Sequence, residues 1–202
     1  MPSHIIRHRP QVTLAFVTLA LVLSVGILVP AKAWAADSYQ FDPAHSSVTF
    51  KIQHVGISWV QGRFDDIAGA CTIDQDDPTK STFEMTIKAA SVDTNVPQRD
   101  EHLRSPDFFD VKQFPDITFK STAVKKIDGG LEVTGNFTLH GVTKVITFTL
   151  AGGQKAEFPK GTQRLGFYTE LKLKRADYGM DKMIPDVGDE VRIFISFEAV
   201  KK

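Results

Sequence analysis

The sequence of 202 residues has a single cysteine, Cys71, and the lack of a second one excludes an internal disulfide. Cysteine-rich zinc sites are excluded for the same reason. Packing must therefore supply the stability, even in an oxidising compartment. The thiol has two interpretations: it links two chains into a homodimer, or it is buried in a strand that reads Ala70-Cys71-Thr72-Ile73. The buried thiol is favoured, because free cysteine packs as a small hydrophobe.

The sequence also lacks an excess of charge of either sign, since 24 basic residues balance 24 acidic ones. Three of the basic residues and none of the acidic ones precede Ala36, which leaves the rest of the chain with a net charge of about −3. A mildly acidic domain lacks the basic surface that binding to phosphate backbones requires. We therefore expect no nucleic acid as a partner.

Sequence motifs for common catalytic and metal sites are absent as well. There is no P-loop, dinucleotide fingerprint, G-x-S-x-G elbow or H-E-x-x-H pair. The histidines after residue 35 are too far apart for a local metal motif, and hydrogen bonding at turns and strand ends is the simpler role for them: His45, His54, His102 and His140. We expect no catalytic residues, no metal and no cofactor other than a bound lipid.

Only the N-terminus contains a long apolar run. Arg7 and Arg9 precede an uncharged segment, residues 12–29, and Ala33-Trp34-Ala35 follows as a small-residue cleavage signal. This order predicts a cleaved export signal in residues 1–35 and a single mature domain in residues 36–202. The alternative is an uncleaved membrane anchor, because the run is about as long as the shortest bilayer-spanning helix.

From Tyr39 onward, apolar and polar residues alternate, which indicates β-strands with one apolar face. Turn-forming residues separate the alternating segments: Asp76-Asp77-Pro78, Asp128-Gly129-Gly130, Gly141, Gly152-Gly153, Pro159-Lys160-Gly161 and Pro185-Asp186-Val187-Gly188. No long helical segments connect the strands. The pattern predicts an all-β, antiparallel barrel or sandwich.

One helical segment interrupts the strands, in residues 97–114. Residues 97–104 form a short helix, with Pro97 and acidic side chains in its first turn. Two interpretations of its polar side chains stay open. In the first, Arg99 and His102 of the helix and Arg175 of a later segment bind a ligand head group, because guanidinium groups suit carboxylate or phosphate. Alternatively, ion pairs attach the helix to the barrel mouth, with Asp100 requiring a cationic partner.

Phenylalanine dominates the aromatic residues, with 15 phenylalanines against three tyrosines and two tryptophans. Phenylalanine has no polar group to satisfy, so it suits a packed core and a dry cavity wall equally. An eight-stranded barrel is either just filled by side chains or just wide enough for one ligand. We expect several apolar strand residues to line one continuous tunnel: Phe50, Ile52, Met85, Ile87, Phe119, Phe137, Phe148, Ile193 and Ile195.

Ordered blocks along residues 36–202 carry a family resemblance. They are Asp42-Pro43-Ala44-His45-Ser46-Ser47-Val48-Thr49-Phe50, Gly62-Arg63-Phe64, Ala90-Ser91-Val92-Asp93-Thr94, Arg99-Asp100-Glu101-His102-Leu103-Arg104, Thr138-Leu139-His140-Gly141-Val142-Thr143-Lys144, and Arg175 with Asp177, Tyr178 and Gly179. On these blocks the chain resembles the YceI-like family of polyisoprenoid-binding periplasmic proteins. The resemblance implies a lipocalin-like, extended antiparallel β-barrel of about eight strands, whose tunnel holds a long isoprenoid.

The leading functional hypothesis is a non-catalytic, periplasmic carrier, store or scavenger of a polyisoprenoid or isoprenoid quinone, which exchanges its lipid by transient membrane contact. One alternative is an enzyme or redox participant acting on a bound quinone, with His45, His102 or His140 transferring protons. A second alternative is an interaction module with a fully packed barrel, whose loops bind another exported protein.

Overall fold

The computed structural model describes residues 36–202, so the expected export signal lies outside the described residues. This part of the chain consists mainly of strands and has one α-helix, which is too short to cross a membrane. The strands are β1 (Asp37–Phe41), β2 (Ser47–His54), β3 (Ser58–Phe64), β4 (Ile67–Ile73), β5 (Thr82–Lys88), β6 (Val92–Asp93), β7 (Asp116–Ile127), β8 (Gly130–Leu139), β9 (Val142–Glu157), β10 (Gln163–Lys174) and β11 (Val187–Lys201). The helix α1 (Pro97–Arg104) begins and ends where the sequence predicted.

All of these strands belong to one antiparallel sheet that closes on itself. The ring runs through β1, β4, β5, β7, β8, β9, β10 and β11, and β11 pairs again with β1. Each strand of the ring therefore has a hydrogen-bonded neighbour on both sides over part of its length. The predicted all-β fold, a closed antiparallel barrel of about eight strands with one helical segment, is confirmed.

Three of the eight strand positions are broken into two segments. β11 pairs with β2 through residues 187–196 and with β1 through residues 199–201, so β1 and β2 occupy one position. In the same way β3 and β4 share the next position, and β5 and β6 share the one after it. Eleven strand segments therefore fill eight positions.

The ends of the barrel differ in their connections. At one end, β6 does not pair with β7, and residues 94–115, which include α1, connect them. The β2–β3 loop, the β8–β9 turn and residues 175–186 lie at the same end, which we call the mouth end. The opposite end carries the β4–β5, β7–β8 and β9–β10 connections, and we call it the base end.

Aromatic packing fills the base end. Phe41 stacks on Phe197 with ring centroids 4.0 Å apart, and Phe83 meets Phe167 edge-on at 5.6 Å. Burial of aromatic side chains of this size dominates core energetics. The buried members of this cluster are Tyr39, Phe41, Cys71, Phe83, Val124, Val133, Leu150, Leu165, Phe167, Phe197 and Ala199. The base end is therefore a packed core.

Cys71 lies in this core, on β4 between Tyr39 of β1 and Phe83 of β5. Its thiol is free and buried, and burial raises its pKa to about 12. A thiol of this kind is unreactive, because the thiolate is the nucleophile in disulfide chemistry. The structure matches the buried-thiol interpretation and removes the basis for a disulfide-linked dimer through this residue.

The turn predicted at Gly152 and Gly153 is wrong, because β9 continues through both residues. The register with β10 shifts here: Gly166 faces Gln154 and Phe167 faces Gly152, so β9 has one extra residue. Both glycines have positive φ, 105° and 84°. A Cβ on Gly152 would lie 2.7 Å from the carbonyl oxygen of Gly166. The glycine pair forms a β-bulge within a long strand.

The break between β1 and β2 is held by Asp42. Its carboxylate accepts hydrogen bonds from Arg164 Nη1 at 2.6 Å, from His45 Nδ1 at 2.9 Å and from the backbone nitrogen of Ala44 at 3.0 Å. Arg164 also donates to Glu198 of β11 at 3.2 Å. The bonds from Arg164 and then His45 lower the pKa of Asp42 to about 2. The break is thereby attached to β10 and β11.

We predict that Asp42→Asn lowers the melting temperature at neutral pH, and that the difference from wild type shrinks as the pH falls from about 4 to 2. The folded-state pKa lies below the unfolded value of about 3.9, so the stabilisation is complete above that value and is lost through the folded pKa. Melting curves between pH 2 and 7 measure this. Glu84→Gln, which breaks an exposed ion pair with Lys120, is the control and should have little effect. A pH-independent difference for Asp42→Asn would contradict the prediction.

Candidate functional site

The mouth end of the barrel contains an apolar cavity of about 360 Å³ that is partly open to solvent. Its volume lies within the range of about 300 to 1,000 Å³ that is usual for small-molecule sites. The apolar lining residues are Val48, Phe50, Ile52, Val60, Phe64, Ile87, Leu103, Phe108, Phe109, Ile117, Phe137, Leu139, Leu171, Leu173, Met180, Met183, Val187, Val191, Ile193 and Ile195. Only six polar residues join them: Gln53, His54, Thr94, Arg99, His102 and Arg175.

Strand alternation places the apolar side chains in this lining. On β2, for example, Val48, Phe50 and Ile52 line the cavity, whereas Thr49 and Lys51 are exposed on the outer face. This is the period-two arrangement of a strand with one apolar face. The helical segment adds Leu103, Phe108 and Phe109, which close the wall beside β6.

A second, smaller apolar cavity of about 50 Å³ lies nearer the base end. Five residues line both cavities, so the two are neighbours: Ile87, Ile117, Phe137, Leu171 and Ile195. Apolar space thus extends from the mouth end toward the base end. Its use as one continuous tunnel stays a prediction.

All nine apolar residues that the sequence assigned to the tunnel line these two cavities. Phe50, Ile52 and Ile193 line the larger cavity, and Met85, Phe119 and Phe148 line the smaller one. Ile87, Phe137 and Ile195 line both. Their placement is observed, and their contact with a ligand stays a prediction.

Arg99 attaches α1 to Thr94, the residue that directly follows β6. Its Nε donates to Thr94 Oγ1 at 2.7 Å, and its Nη2 donates to the Thr94 carbonyl at 2.8 Å. Buried Asp100 accepts from the backbone nitrogen of Thr94 at 2.9 Å and from its hydroxyl. The partner of Asp100 is therefore Thr94, and not the cationic side chain that the sequence predicted. Hydrogen bonds around one threonine replace the proposed ion pairs.

Arg175 is buried and faces the backbone of the neighbouring loop. Its guanidinium donates to the carbonyls of Met180 at 2.6 Å, Val187 at 2.8 Å and Gly188 at 2.9 Å. Burial lowers its pKa, against the opposing effect of the carboxylates of Asp189 and Asp181. These contacts fix residues 175–188 around one side chain, which is an architectural role.

Of the three predicted head-group residues, His102 makes the fewest hydrogen bonds within the protein. Its Nε2 lies 3.0 Å from Asp107 Oδ2, and its ring meets Phe108 edge-on at 5.0 Å. About half of its side chain is exposed. His102 therefore lies at the boundary between the cavity and solvent.

The other candidate proton-transfer residues support turns. His45 bonds to Asp42 at the break between β1 and β2. His140 has a positive φ of 50° in the β8–β9 turn, and its Nδ1 lies 3.1 Å from the Tyr178 carbonyl. Neither lines the two apolar cavities of the barrel interior. Within residues 36–202, no group of three or more histidine, cysteine or acidic residues is placed to hold a metal ion.

Several polar residues that the sequence did not assign to the site also line the two cavities. Gln53 and His54, both exposed, border the larger cavity at the end of β2. Thr169 of β10 is 3% exposed and lines the smaller cavity, and its hydroxyl has no hydrogen-bond partner. Its position between Phe167 and Leu171 in an alternating strand is the signal that could have placed it inside.

Comparison with known proteins agrees with this architecture. The sequence-family model described as "YceI-like domain" matches residues 39–199. This chain belongs to the YceI-like family. "Protein YceI" of Salmonella arizonae and that of Salmonella enteritidis are each 39% identical to it over 191 residues, which cover 94% of this chain and 97% of those proteins.

Solved structures resemble the YceI-like barrel as well. The Campylobacter jejuni YceI protein is 33% identical with a TM-score of 0.67, over 74% of this chain and 90% of that one. Burkholderia cenocepacia BcnA is 25% identical with a TM-score of 0.70, over 78% and 98%. A polyisoprenoid-binding domain from Saccharophagus degradans, implicated in plant cell wall breakdown, has a TM-score of 0.61 at 18% identity, over 83% and 99%.

For the YceI-like helical segment we predict opposite results from two variants. Arg99→Ala removes two charge-assisted hydrogen bonds, so it should lower the free energy of unfolding by about 2 kcal/mol and the melting temperature by roughly 4 to 8 °C. His102→Ala should change the melting temperature little, because its one polar contact is exposed. Melting curves and the yield of extracted lipid are measured on both. Lipid loss from Arg99→Ala with unchanged stability would restore the head-group role of Arg99.

Thr169→Val is predicted to stabilise the lipid-free protein, because it removes a buried hydroxyl without a partner, whose burial costs about 1 to 3 kcal/mol. Thr94→Val is the matched control and should destabilise, since the Thr94 hydroxyl bonds to both Asp100 and Arg99. Denaturant unfolding measures both. A loss of stability in Thr169→Val would show that its hydroxyl is satisfied within the folded protein.

Proposed function

We propose that this YceI-like protein binds one long-chain apolar lipid, a polyisoprenoid or the tail of an isoprenoid quinone, as a carrier, store or scavenger. The observation that carries the proposal is the cavity of about 360 Å³ at the mouth end, with its almost entirely apolar lining. An interior of this kind also argues against an interaction module with a fully packed barrel.

The free energy of binding favours a long chain. Burial of each methylene contributes about 0.8 kcal/mol, whereas association costs at least about 4 kcal/mol. Micromolar affinity requires about 8 kcal/mol net. A ligand therefore needs roughly 15 to 20 buried carbons before apolar contact alone reaches micromolar affinity. Short isoprenoids fall below this limit, and long ones exceed it.

The positions of the histidines favour binding of the lipid without chemical conversion. His45 and His140 hold turns outside the cavities, and His102 reaches the larger cavity only at its solvent boundary. No nucleophile and base pair face the ligand space within the described residues. A proton-transfer role on a bound quinone would fall to His102 or to His54, the two histidines that line the larger cavity.

The names of similar proteins point in the same direction. The Saccharophagus degradans domain is described as polyisoprenoid-binding, and it has the same fold at 18% identity. Because that likeness is one of fold, the lipid proposal depends on the cavity of this chain. Periplasmic location after cleavage before Ala36, and transient contact with a membrane for lipid exchange, complete the proposal.

Native mass spectrometry of the exported protein, followed by organic extraction, tests the proposal directly. We expect one long-chain lipid per polypeptide, held in the apolar cavity at the mouth end. The polypeptide mass in the same spectrum should correspond to a chain that begins at Ala36. A lipid-free protein after gentle purification would contradict lipid binding. A polypeptide mass that includes Met1 would contradict cleavage before Ala36.

A cavity-filling variant provides the matched comparison. Val191→Phe directs a larger side chain into the lipid space, whereas Glu190→Phe places the same side chain on the outer face of the same strand. We expect Val191→Phe to reduce the lipid yield severalfold, with a stability change of at most about 1 to 3 kcal/mol. Glu190→Phe should retain wild-type lipid. Equal yields from both variants would show that the lipid lies elsewhere.

A further inference from the structure

The loop between β2 and β3 exposes apolar side chains that the fold does not require. Val55, Gly56 and Ile57 form this loop, and Val55 and Ile57 are 47% and 86% exposed. Val55 has a φ of 43°, a conformation that β-branched residues rarely adopt. Asparagine or glycine would relieve the backbone and keep the loop polar. The apolar residues here therefore need an explanation other than folding.

A second loop places two more exposed apolar residues beside the first. Met183 and Ile184 are both exposed, and the backbone nitrogen of Val55 donates to the carbonyl of Asp186 at 2.6 Å. We call Val55, Ile57, Met183 and Ile184 the mouth patch. Met183 also lines the larger cavity, so the mouth patch lies at the border of the proposed lipid site.

Trp59 lies on the outer face of β3, two residues beyond Ile57, and is partly exposed. The cations of Arg192 and Lys51 lie 4.8 and 5.7 Å from the centre of its ring. At about 3.3 Å per residue, Trp59 is roughly 7 Å from Ile57 along the strand. Amphipathic elements bury their apolar face about 5 to 10 Å into a membrane interface, where tryptophan is enriched.

We propose that the mouth patch docks on the surface of a phospholipid bilayer, with Ile57 and Val55 inserted and Trp59 at the level of the head groups. The cavity then opens toward the membrane, and an apolar tail passes between bilayer and barrel without crossing water. The benefit to lipid exchange rests on the proposed function, whereas docking itself is measurable without any ligand.

Two observations favour a bilayer over a protein partner. The mouth patch has four residues, whereas a stable protein interface buries about 800 Å² on each partner, or roughly 20 residues a side. Insertion of a few apolar side chains suffices at a fluid interface. The neighbouring charges nearly balance, since Arg192 bonds to Glu190 at 3.0 Å and Asp186 lies beside the mouth patch. Apolar insertion, with weak salt dependence, is therefore the expected mode of binding.

Vesicle sedimentation with the exported protein, which lacks the apolar run of residues 12–29, tests the proposal. The probes are vesicles of phosphatidylcholine alone and of phosphatidylcholine with phosphatidylglycerol, at low and high salt. In a chain that begins at Ala36, Trp59 is the only tryptophan, so its fluorescence reports insertion. We expect binding to both vesicle types, a blue shift of Trp59 emission and little loss of binding at high salt.

Ile57→Ser should lower the vesicle partition coefficient at least about tenfold, because the inserted side chain is lost. Phe158→Ser is the control: Phe158 is 71% exposed in the β9–β10 connection at the base end. It should bind like wild type, and Ile57→Ser should keep the wild-type melting temperature.

Several results would overturn the proposal. These are absence of vesicle binding, equal losses in Ile57→Ser and Phe158→Ser, or binding that requires phosphatidylglycerol and disappears at high salt. A concentration-dependent dimer that Ile57→Ser abolishes, without vesicle binding, would assign the mouth patch to a second copy of the chain. Vesicle binding by a protein that never carries lipid would refute the proposed function and retain the docking.

Discussion

Hydrogen bonds from arginine side chains to backbone carbonyls hold the mouth end of the barrel together. β6 and β7 are not paired, so the helical segment between them is attached by side chains. Arg104 donates to the carbonyls of Ala90 and Val92, both at 2.7 Å, and Arg99 donates to Thr94. A guanidinium presents several donors in a fixed geometry, which suits it to carbonyls that lack a strand partner. The larger cavity exists because this end is closed by a helix and three arginines in place of continuous pairing.

The two ends of one barrel consequently have different interiors. At the base end, stacked and edge-on phenylalanines fill the space between opposite strands. At the mouth end, the same strand alternation surrounds an open apolar volume. An eight-stranded ring is close to the width at which either outcome occurs, so the choice of side chains at each level decides it.

Strand alternation made much of this predictable. The inward faces, the all-β class and the bounds of α1 follow from local periodicity and capping, which depend on residues close in sequence. The bulge at Gly152 and Gly153 could not be predicted in this way. Glycines with positive φ occur in turns and in bulges, and only the register between β9 and β10 shows which of the two is present. The partners of Arg99 and Arg175 were equally inaccessible, since backbone carbonyls become acceptors at these places only in the folded chain. The volume left open at the mouth end depends on side-chain packing that no sequence pattern encodes.

The packed base end has a consequence for how such proteins diversify. The buried cluster at the base end provides stability through side chains that a ligand in the larger cavity would not touch. Under the proposed function, substitutions among the cavity-lining residues outside the buried clusters would alter which molecule is retained while the barrel still folds. Structural relatives at 18% to 33% identity keep the barrel over most of their length. One scaffold can thus acquire new cargo by exchanging a few inward side chains at a single end.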